Sequence, residues 1–319
     1  MIVRDEAAML PRCLASVRGV VDEMIVVDTG SVDATPRIAA QAGAQVIGFA
    51  WCDDFSAARN VSLEAATGDW ILVMDADEAL SDDARAKLRN TIEGRVADAL
   101  SVVRRDLSPE GSLEQYTELR IVRLFRNHAG HRYTGRIHEQ VWPSIQRTGG
   151  VLGETDLVLM HYGYQQPLAQ GTSRAERNVR MLEAAVRDAP NDPYWAYQLG
   201  VTYKALHRDG EADAALARAF DLGAELHLSR EIVTTMYVKR AQIALAADKW
   251  HQAVLFAERS LRLSPGNLIG LYVAAVATTY LGAFDIAAPL LEQVQHHPQL
   301  DPSQRDLITA LLNRFPPTT

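Results

Sequence analysis

The sequence predicts an α/β domain built on a largely parallel sheet, followed by a second, all-α domain of stacked helix pairs. Three observations predict it. From Met1 to about Tyr164 short apolar runs alternate with amphipathic stretches, the pattern of strands separated by helices packed on a sheet. Beyond about Thr172 the strand signal stops, and alanine-rich helical periodicity continues to Asn313. Inside that second half small residues recur at a fixed period, with Ala253 and Ala287 34 residues apart. The boundary falls at 168/169, giving domains of residues 1–168 and 169–319.

In the first domain Ile2-Val3 reads as a strand end, and Glu6 to Val17 as a helix with Met9, Leu10, Leu14 and Val17 on one side. Met24 to Val27 gives the second strand, Thr35 to Gln41 the second helix and Ala44 to Phe49 the third strand. Ser56 to Ala66 gives the third helix and Trp70 to Met74 the fourth strand. Ligands of open sheets collect outside the carboxyl ends of the strands, so Asp28 and Asp75 are expected to face one crevice.

In the second domain Asn267 to Pro298 carries small Ala275 and Ala287 before a closing proline, and Thr234 to Pro265 carries Ala241, Ala253 and Pro265 at matching positions. One unit earlier stand Leu199-Gly200, Tyr203, Ala212 and Ala219, with an insertion around Gly223 to Arg230 that stretches the first spacing to 41 residues. The pattern resembles tetratricopeptide repeats, whose helix pairs form a curved surface that holds a peptide or protein. A plain helical bundle is the other reading of the same periodicity.

At 319 residues and 48% hydrophobic content the chain can bury a sizeable core. A net charge of -8 argues against nucleic acid as the main partner, because no basic excess is available to neutralise phosphates along a strand. Cys13 and Cys52 supply neither a disulfide framework nor zinc spacing, and both are expected as buried thiols in a reducing, cytoplasmic setting. No stretch approaches the roughly 20 apolar residues of a membrane span, and the N-terminus lacks the regions of a signal peptide.

The tripeptide Asp75-Ala76-Asp77 ends the apolar run Trp70 to Met74. Two alternating carboxylates at a strand end are hard oxygen ligands for a divalent cation that also holds phosphate oxygens, which points to a nucleotide-phosphate ligand. A solvated turn running on through Glu78 is the plainer explanation. Asp28-Thr29-Gly30-Ser31 closes the second strand: Gly30 allows the turn, Ser31, Asp33 and Thr35 read as helix caps, and Asp28 keeps a free carboxylate for a base or ribose. Arg59, early on the third helix, reaches the pyrophosphate or Asp28, or pairs with Asp53 or Asp54. In Arg136-Ile137-His138-Glu139-Gln140 the neighbours His138 and Glu139 face opposite ways on a strand, His138 as a core histidine and Glu139 as a candidate general base. His161 is a candidate metal or phosphate ligand.

Taken together, Met1-Ile2-Val3-Arg4-Asp5-Glu6, Val26-Val27-Asp28-Thr29-Gly30-Ser31, Ala58-Arg59-Asn60, Gly68-Asp69-Trp70 and Met74-Asp75-Ala76-Asp77-Glu78 resemble the family 2 glycosyltransferases. The segment Trp51 to Ser56, the cluster Arg136 to Gln140, His161-Tyr162-Gly163-Tyr164 and the trailing helices resemble the branch that carries tetratricopeptide repeats, a layout shared by peptide S-glycosyltransferases. The resemblance implies a GT-A nucleotide-sugar fold with a Rossmann-like sheet, and inversion at the anomeric carbon. It implies that Asp28 holds the uracil or ribose, Arg59 the nucleotide, and Asp75 with Asp77 the ribose and a Mg²⁺ or Mn²⁺ ion on the diphosphate; His161, a candidate ligand from its own chemistry, is assigned to the metal beside Asp77. Glu139 is the candidate base for the acceptor. The donor is then a nucleotide-diphosphate sugar, with a UDP-sugar expected, and the acceptor a peptide, protein or glycan held by the repeat domain. Two features depart from the family pattern: the chain starts at Met1 inside a first strand expected to be short, and Asp5 stands where asparagine is common, adding negative charge near the diphosphate.

A second hypothesis is a protein-binding repeat scaffold with a degenerate nucleotide-binding domain. A nucleotidyltransferase ranks last, because Met1 to Pro11 lacks the glycine-rich phosphate loop it would want. Sugar specificity is assigned to loops such as Asp106 to Tyr116, read as polar and flexible.

Overall fold

The computed structural model describes residues 1–107, 116–163, 171–301, 303, 305, 308 and 309. Tyr164, the 168/169 boundary, Asn313 and most of the Asp106 to Tyr116 loop lie outside the described residues. The chain divides into two compact units, Met1–Arg177 and Asn178–Thr319.

In the first unit β1 (Ile2–Val3) pairs in parallel with β2 (Ile25–Asp28), and β2 in parallel with β3 (Gln45–Gly48), setting Val3 opposite Asp28. The expected parallel order stops there. β4 (Trp70–Leu72), β5 (Glu78–Leu80), β6 (Ala99–Leu107), β7 (Tyr116–Arg126) and β8 (Leu152–His161) form a second sheet in the order β4-β7-β6-β8-β5. Within it only β6 and β8 run parallel. The reason lies in the connections: only eight residues of sequence separate β6 from β7, and strands joined by a short link pair antiparallel. β4 also ends at Leu72 rather than Met74. The Val73 N–H still donates to the Arg123 carbonyl at 2.8 Å, which carries the chain along β7 to Asp75.

Helices α1 (Leu10–Val17), α2 (Thr35–Gln41), α3 (Phe55–Ala65), α4 (Asp82–Ile92) and α5 (Trp142–Arg147) flank these sheets. α1 begins at Leu10, later than expected, because the Glu6 carbonyl closes a separate turn onto Met9 and Leu10, and Pro11 fits only the first helical turn. Its buried residues, Leu10, Cys13, Leu14 and Val17, recur at one-face spacing. Leu100 and Leu124 pack with Cys13, Val17 and Leu88, whereas their neighbours Ala99 and Phe125 pack with Leu63 and Ile145. Alternation along the strands therefore places α1 and α4 on one face of the second sheet and α3 and α5 on the other. Ala76 is buried in the cluster of Val3, Leu10, Leu14 and Val26, so the middle residue of the acidic tripeptide is anchored beside β1 and β2. Cys13 is buried as expected, but Cys52, one residue before left-handed Asp53, is exposed.

α6 (Gly171–Asp188) spans the division between the units. In the second unit α7 (Pro193–Ala205) packs on α8 (Asp209–Asp221), α10 (Arg230–Ala246) on α11 (Trp250–Leu263), and α12 (Leu268–Tyr280) on α13 (Phe284–Gln295). The expected insertion is the one-turn helix α9 (Ala224–His227). Ala212, Ala241, Ala253, Ala275 and Ala287 have no exposed surface. A Cβ at Gly200 would lie 2.7 Å from Leu216 Cγ, so small residues here let paired helices approach closely. The turn inside each pair uses one left-handed residue, His207, Asp248 and Gly282 in succession. This recurrence, with helix pairs in register, is a tetratricopeptide architecture rather than a plain bundle. Among the described residues no helix is long and apolar enough to cross a membrane.

Candidate functional site

The loops after β1 and β2 are laced together. Asp5 N–H donates to Ser31 Oγ at 2.9 Å, Val32 N–H to Asp5 Oδ1 at 2.7 Å, Glu6 N–H to Thr35 Oγ1 at 2.8 Å and Ala7 N–H to Asp33 Oδ2 at 3.1 Å. Ser31 and Thr35 thus serve the neighbouring loop; Ala34, at the N-cap of α2, makes no side-chain bond, but Asp33 Oδ1 accepts from the N–H of Thr35, the first helical residue, at 2.8 Å, so the capping expectation holds for Asp33. Asp5 sits at φ 55, a conformation asparagine shares, and its carboxylate accepts a backbone bond that an asparagine oxygen could equally accept. Asp28 is not free either. Its Oδ2 accepts from Gly30 N–H at 3.2 Å and Ser31 N–H at 3.1 Å, closing the turn it was expected to leave open.

Around Asp75 the structure builds a buried ion lattice. Asp54 caps α3 by accepting from Ala57 N–H at 2.9 Å, and Asp53 accepts from Trp51 Nε1, so neither pairs with Arg59. Arg59 instead donates from Nη2 to Asp75 Oδ1 at 2.8 Å and from Nε to Glu139 Oε1 at 2.6 Å. Its Nη1 is buried with no hydrogen-bond partner. Arg123 donates to the other Asp75 oxygen at 2.6 Å and to Glu78 Oε1 at 2.9 Å. Burial alone would raise the Asp75 carboxyl, but the guanidinium groups of Arg123 and Arg59 hold it well below the usual range. Glu78, in buried β5 rather than a solvated turn, is pushed up by burial. Asp75 keeps 33% of its side-chain surface exposed, so a ligand can still reach it, whereas Glu78 keeps none.

The chain 133–140 delivers Glu139 because α3 holds it. Phe55 N–H donates to the Arg136 carbonyl at 2.8 Å, Ser56 Oγ to the Gly135 carbonyl at 2.6 Å, and Asn60 exchanges bonds with the Tyr133 backbone in both directions. The segment is not a strand. His138 lies at φ 54 and is exposed, so the core position belongs to Ile137 and the expected core histidine is corrected.

The third group gathers at the ends of β5, β6 and β8. Register places His161 opposite Glu78 on one side and Asp106 on the other. His161 Nε2 lies 3.4 Å from Asp77 Oδ2, and Nδ1 lies 2.9 Å from Asp106 Oδ1. Burial lowers the His161 pKa, and Asp77 more than offsets it, leaving the imidazole above its ordinary value. A Cβ at Gly163 would stand 2.6 Å from His161 Nε2 and 2.9 Å from Asp77 Oδ2, so any side chain here would push these two atoms from their positions. Asp77 and His161 are chemically suited to a divalent cation, and the 3.4 Å between their Oδ2 and Nε2 lets both reach one ion. Among the described residues no cluster of three or more His, Cys, Asp or Glu could hold a metal, so the remaining ligands would come from outside the protein.

No hydrogen bond or ion pair among the described residues joins Asp28 to Asp75 or Asp77. A cavity of about 280 Å³ opens instead near the amino ends of β2 and β4, beside Met24, Ile25 and Trp70, and none of the expected site residues lines it. Sequence reasoning missed Arg123, Arg104 and Asp106. Arg123 carried a signal, a lone charge inside the apolar run Ile121 to Phe125.

The model of the family described as Glycosyl transferase family 2 matches residues 1–144. A TPR repeat-containing protein of Synechococcus elongatus is 38% identical over 306 aligned residues, covering 80% of this chain and 74% of that protein. The SPbeta prophage-derived glycosyltransferase SunS of Bacillus subtilis is 29% identical over 66% of this chain, which spans half of SunS. Among solved structures, MamA MSR-1 C2 superposes with a TM-score of 0.33 at 20% identity, over 39% of this chain and 67% of its own. The chain carries a glycosyl transferase family 2 domain, matched over residues 1–144, joined to tetratricopeptide-like helix pairs.

Proposed function

We propose that the protein is an inverting, metal-dependent glycosyltransferase that moves a hexosyl group from a nucleoside-diphosphate donor, a UDP-sugar in the first instance, to a peptide, protein or glycan acceptor. The observation that carries the reading is the pairing of Asp77 Oδ2 with His161 Nε2 beside Gly163, where any side chain would collide with both atoms. Asp77 and His161 would hold Mg²⁺ or Mn²⁺ there, with Asp75 turned toward the ribose. When bound, the ion would stabilise the negative charge that develops on the leaving diphosphate.

Other residues divide the remaining work. Asp28, anchored on Gly30 and Ser31 N–H, offers its remaining acceptor capacity to the base or ribose. Arg59 fixes Asp75 and Glu139 and keeps its Nη1 for the nucleotide. The acceptor loses a proton as it attacks the anomeric carbon, and Glu139 Oε2, the oxygen Arg59 does not hold, is the group assigned to take it. The helix pairs of the second unit would present the acceptor.

The test is donor hydrolysis with a panel of radiolabelled nucleotide sugars and MnCl₂. Slow release of free sugar is expected from the cognate donor. Full turnover in Asp77→Ala would remove the metal role.

A further inference from the structure

Asp106 ends β6, where register sets it beside His161 of β8. Two residues earlier on the same strand, and so on the same face, Arg104 clamps it, with Nε 2.8 Å from Oδ1 and Nη2 3.1 Å from Oδ2. The Asp106 side chain is only 9% exposed, so this pair is held in place rather than sampling solvent. The expected specificity loop thus begins with an ordered, buried carboxylate.

A carboxylate lying in an arginine fork offers acceptors only. Its Oδ1 is 2.9 Å from His161 Nδ1, against 3.4 Å between Asp77 Oδ2 and Nε2, so in the neutral ring the shorter contact favours the proton on Nδ1. In neutral imidazole the lone pair then falls on Nε2, which is the nitrogen facing Asp77 Oδ2. A histidine left to itself favours the opposite arrangement, with its proton on Nε2 and no lone pair there to give.

We propose that Asp106, clamped by Arg104, is a positioning residue that fixes His161 in the Nδ1-protonated form and so aims Nε2, together with Asp77, at one divalent cation. The proposal rests on the cation reading given above. Outer carboxylates of this kind are worth about 10- to 100-fold in metal affinity. Asp106 touches neither donor nor acceptor in this role and acts only through His161.

The experiment uses the full chain and two readouts. Nitrogen-15 and carbon-13 spectra of the histidine rings, with His161 assigned by its loss in His161→Gln, report the tautomer without any metal. Titration with Mn²⁺ alone, followed by loss of the free-ion paramagnetic resonance signal, reports affinity. In the wild type His161 is expected to be Nδ1-protonated. Asp106→Asn is expected to shift it toward the Nε2-protonated form and weaken Mn²⁺ binding at least tenfold, with the unfolding midpoint as a control for folding. Should Asp106→Asn fail to fold, Arg104→Gln carries the same test, with a shift in the same direction. An unchanged tautomer and unchanged affinity in these variants, while His161→Gln loses the ion, would overturn the positioning role and leave the cation site standing. Mn²⁺ bound equally well by His161→Gln would overturn both.

Discussion

Arg59 on α3 and Glu139, 80 positions later in the sequence, meet at 2.6 Å, and the same guanidinium holds Asp75 at 2.8 Å. One side chain therefore sets the positions of Asp75 and of the candidate base Glu139. Arg59→Met should leave the largely buried Glu139 without its cation and Asp75 held by Arg123 alone, costing about 3 kcal/mol, the low end for a broken buried pair. Arg59→Lys should recover little of it, because an ammonium cannot span two carboxylates as a planar fork does. Urea unfolding measures both, and a loss under about 1 kcal/mol for Arg59→Met would show that the lattice is not held by this residue.

Acid sensitivity follows from Asp75. In the unfolded chain it protonates near the ordinary value of about 3.9. In the folded chain Arg123 and Arg59 depress its pKa despite burial. A depressed folded value adds stability that is complete above the unfolded value and drains away as pH falls toward the folded one. The stability gap between wild type and Asp75→Asn should thus hold level from pH 7 to pH 5 and narrow below about pH 4. Unfolding midpoints at pH 7, 5 and 3.5 check this, and a gap that stays constant at pH 3.5 would count against it.

Gly163→Ala places a methyl 2.6 Å from His161 Nε2 and 2.9 Å from Asp77 Oδ2, pushing the two side-chain ends apart. We expect Mn²⁺ affinity and donor hydrolysis to fall by at least tenfold, with the unfolding midpoint near that of the wild type. Retained affinity would mean that these two atoms do not hold the cation.

In the repeat unit the left-handed turn position recurs at His207, Asp248 and Gly282. Left-handed backbone costs an ordinary residue roughly 1–2 kcal/mol, and glycine almost nothing. Gly282→Ala should therefore lower stability by about 1 kcal/mol, and Asp248→Gly should raise it by about 0.5 kcal/mol after glycine's larger unfolded entropy is set against the relief. Denaturant titration of both variants tests the shared geometry, and opposite signs would refute it.

Much of this architecture is legible in the sequence because its signals are local. The β1 to β3 alternation and the Ala212, Ala253 and Ala287 period depend on neighbours along the chain, and the structure follows them. The mixed second sheet was not legible, because β4 pairs with β7 across long sequence separation and no periodicity encodes a partner. The same limit applies to the site. Asp75, Asp77, Arg59, Glu139 and His161 could be singled out by residue type and motif, but the pairing of Arg59 with Asp75 and Glu139 joins three separate segments. Asp28 shows the converse: a carboxylate that looked available is used by the turn beside it. His138 failed as a core residue because a left-handed backbone, invisible in composition, turns it outward.

The central claim is that Asp77 and His161 bind a divalent cation that carries a nucleoside diphosphate. Calorimetric titration of UDP, GDP and dTDP, each with MnCl₂, into the wild type and Asp77→Ala tests it most directly. The account predicts manganese-dependent heat with at least one of the three and at least a hundredfold loss in Asp77→Ala. Heat that is unchanged in Asp77→Ala, or none with any of the three, would contradict it.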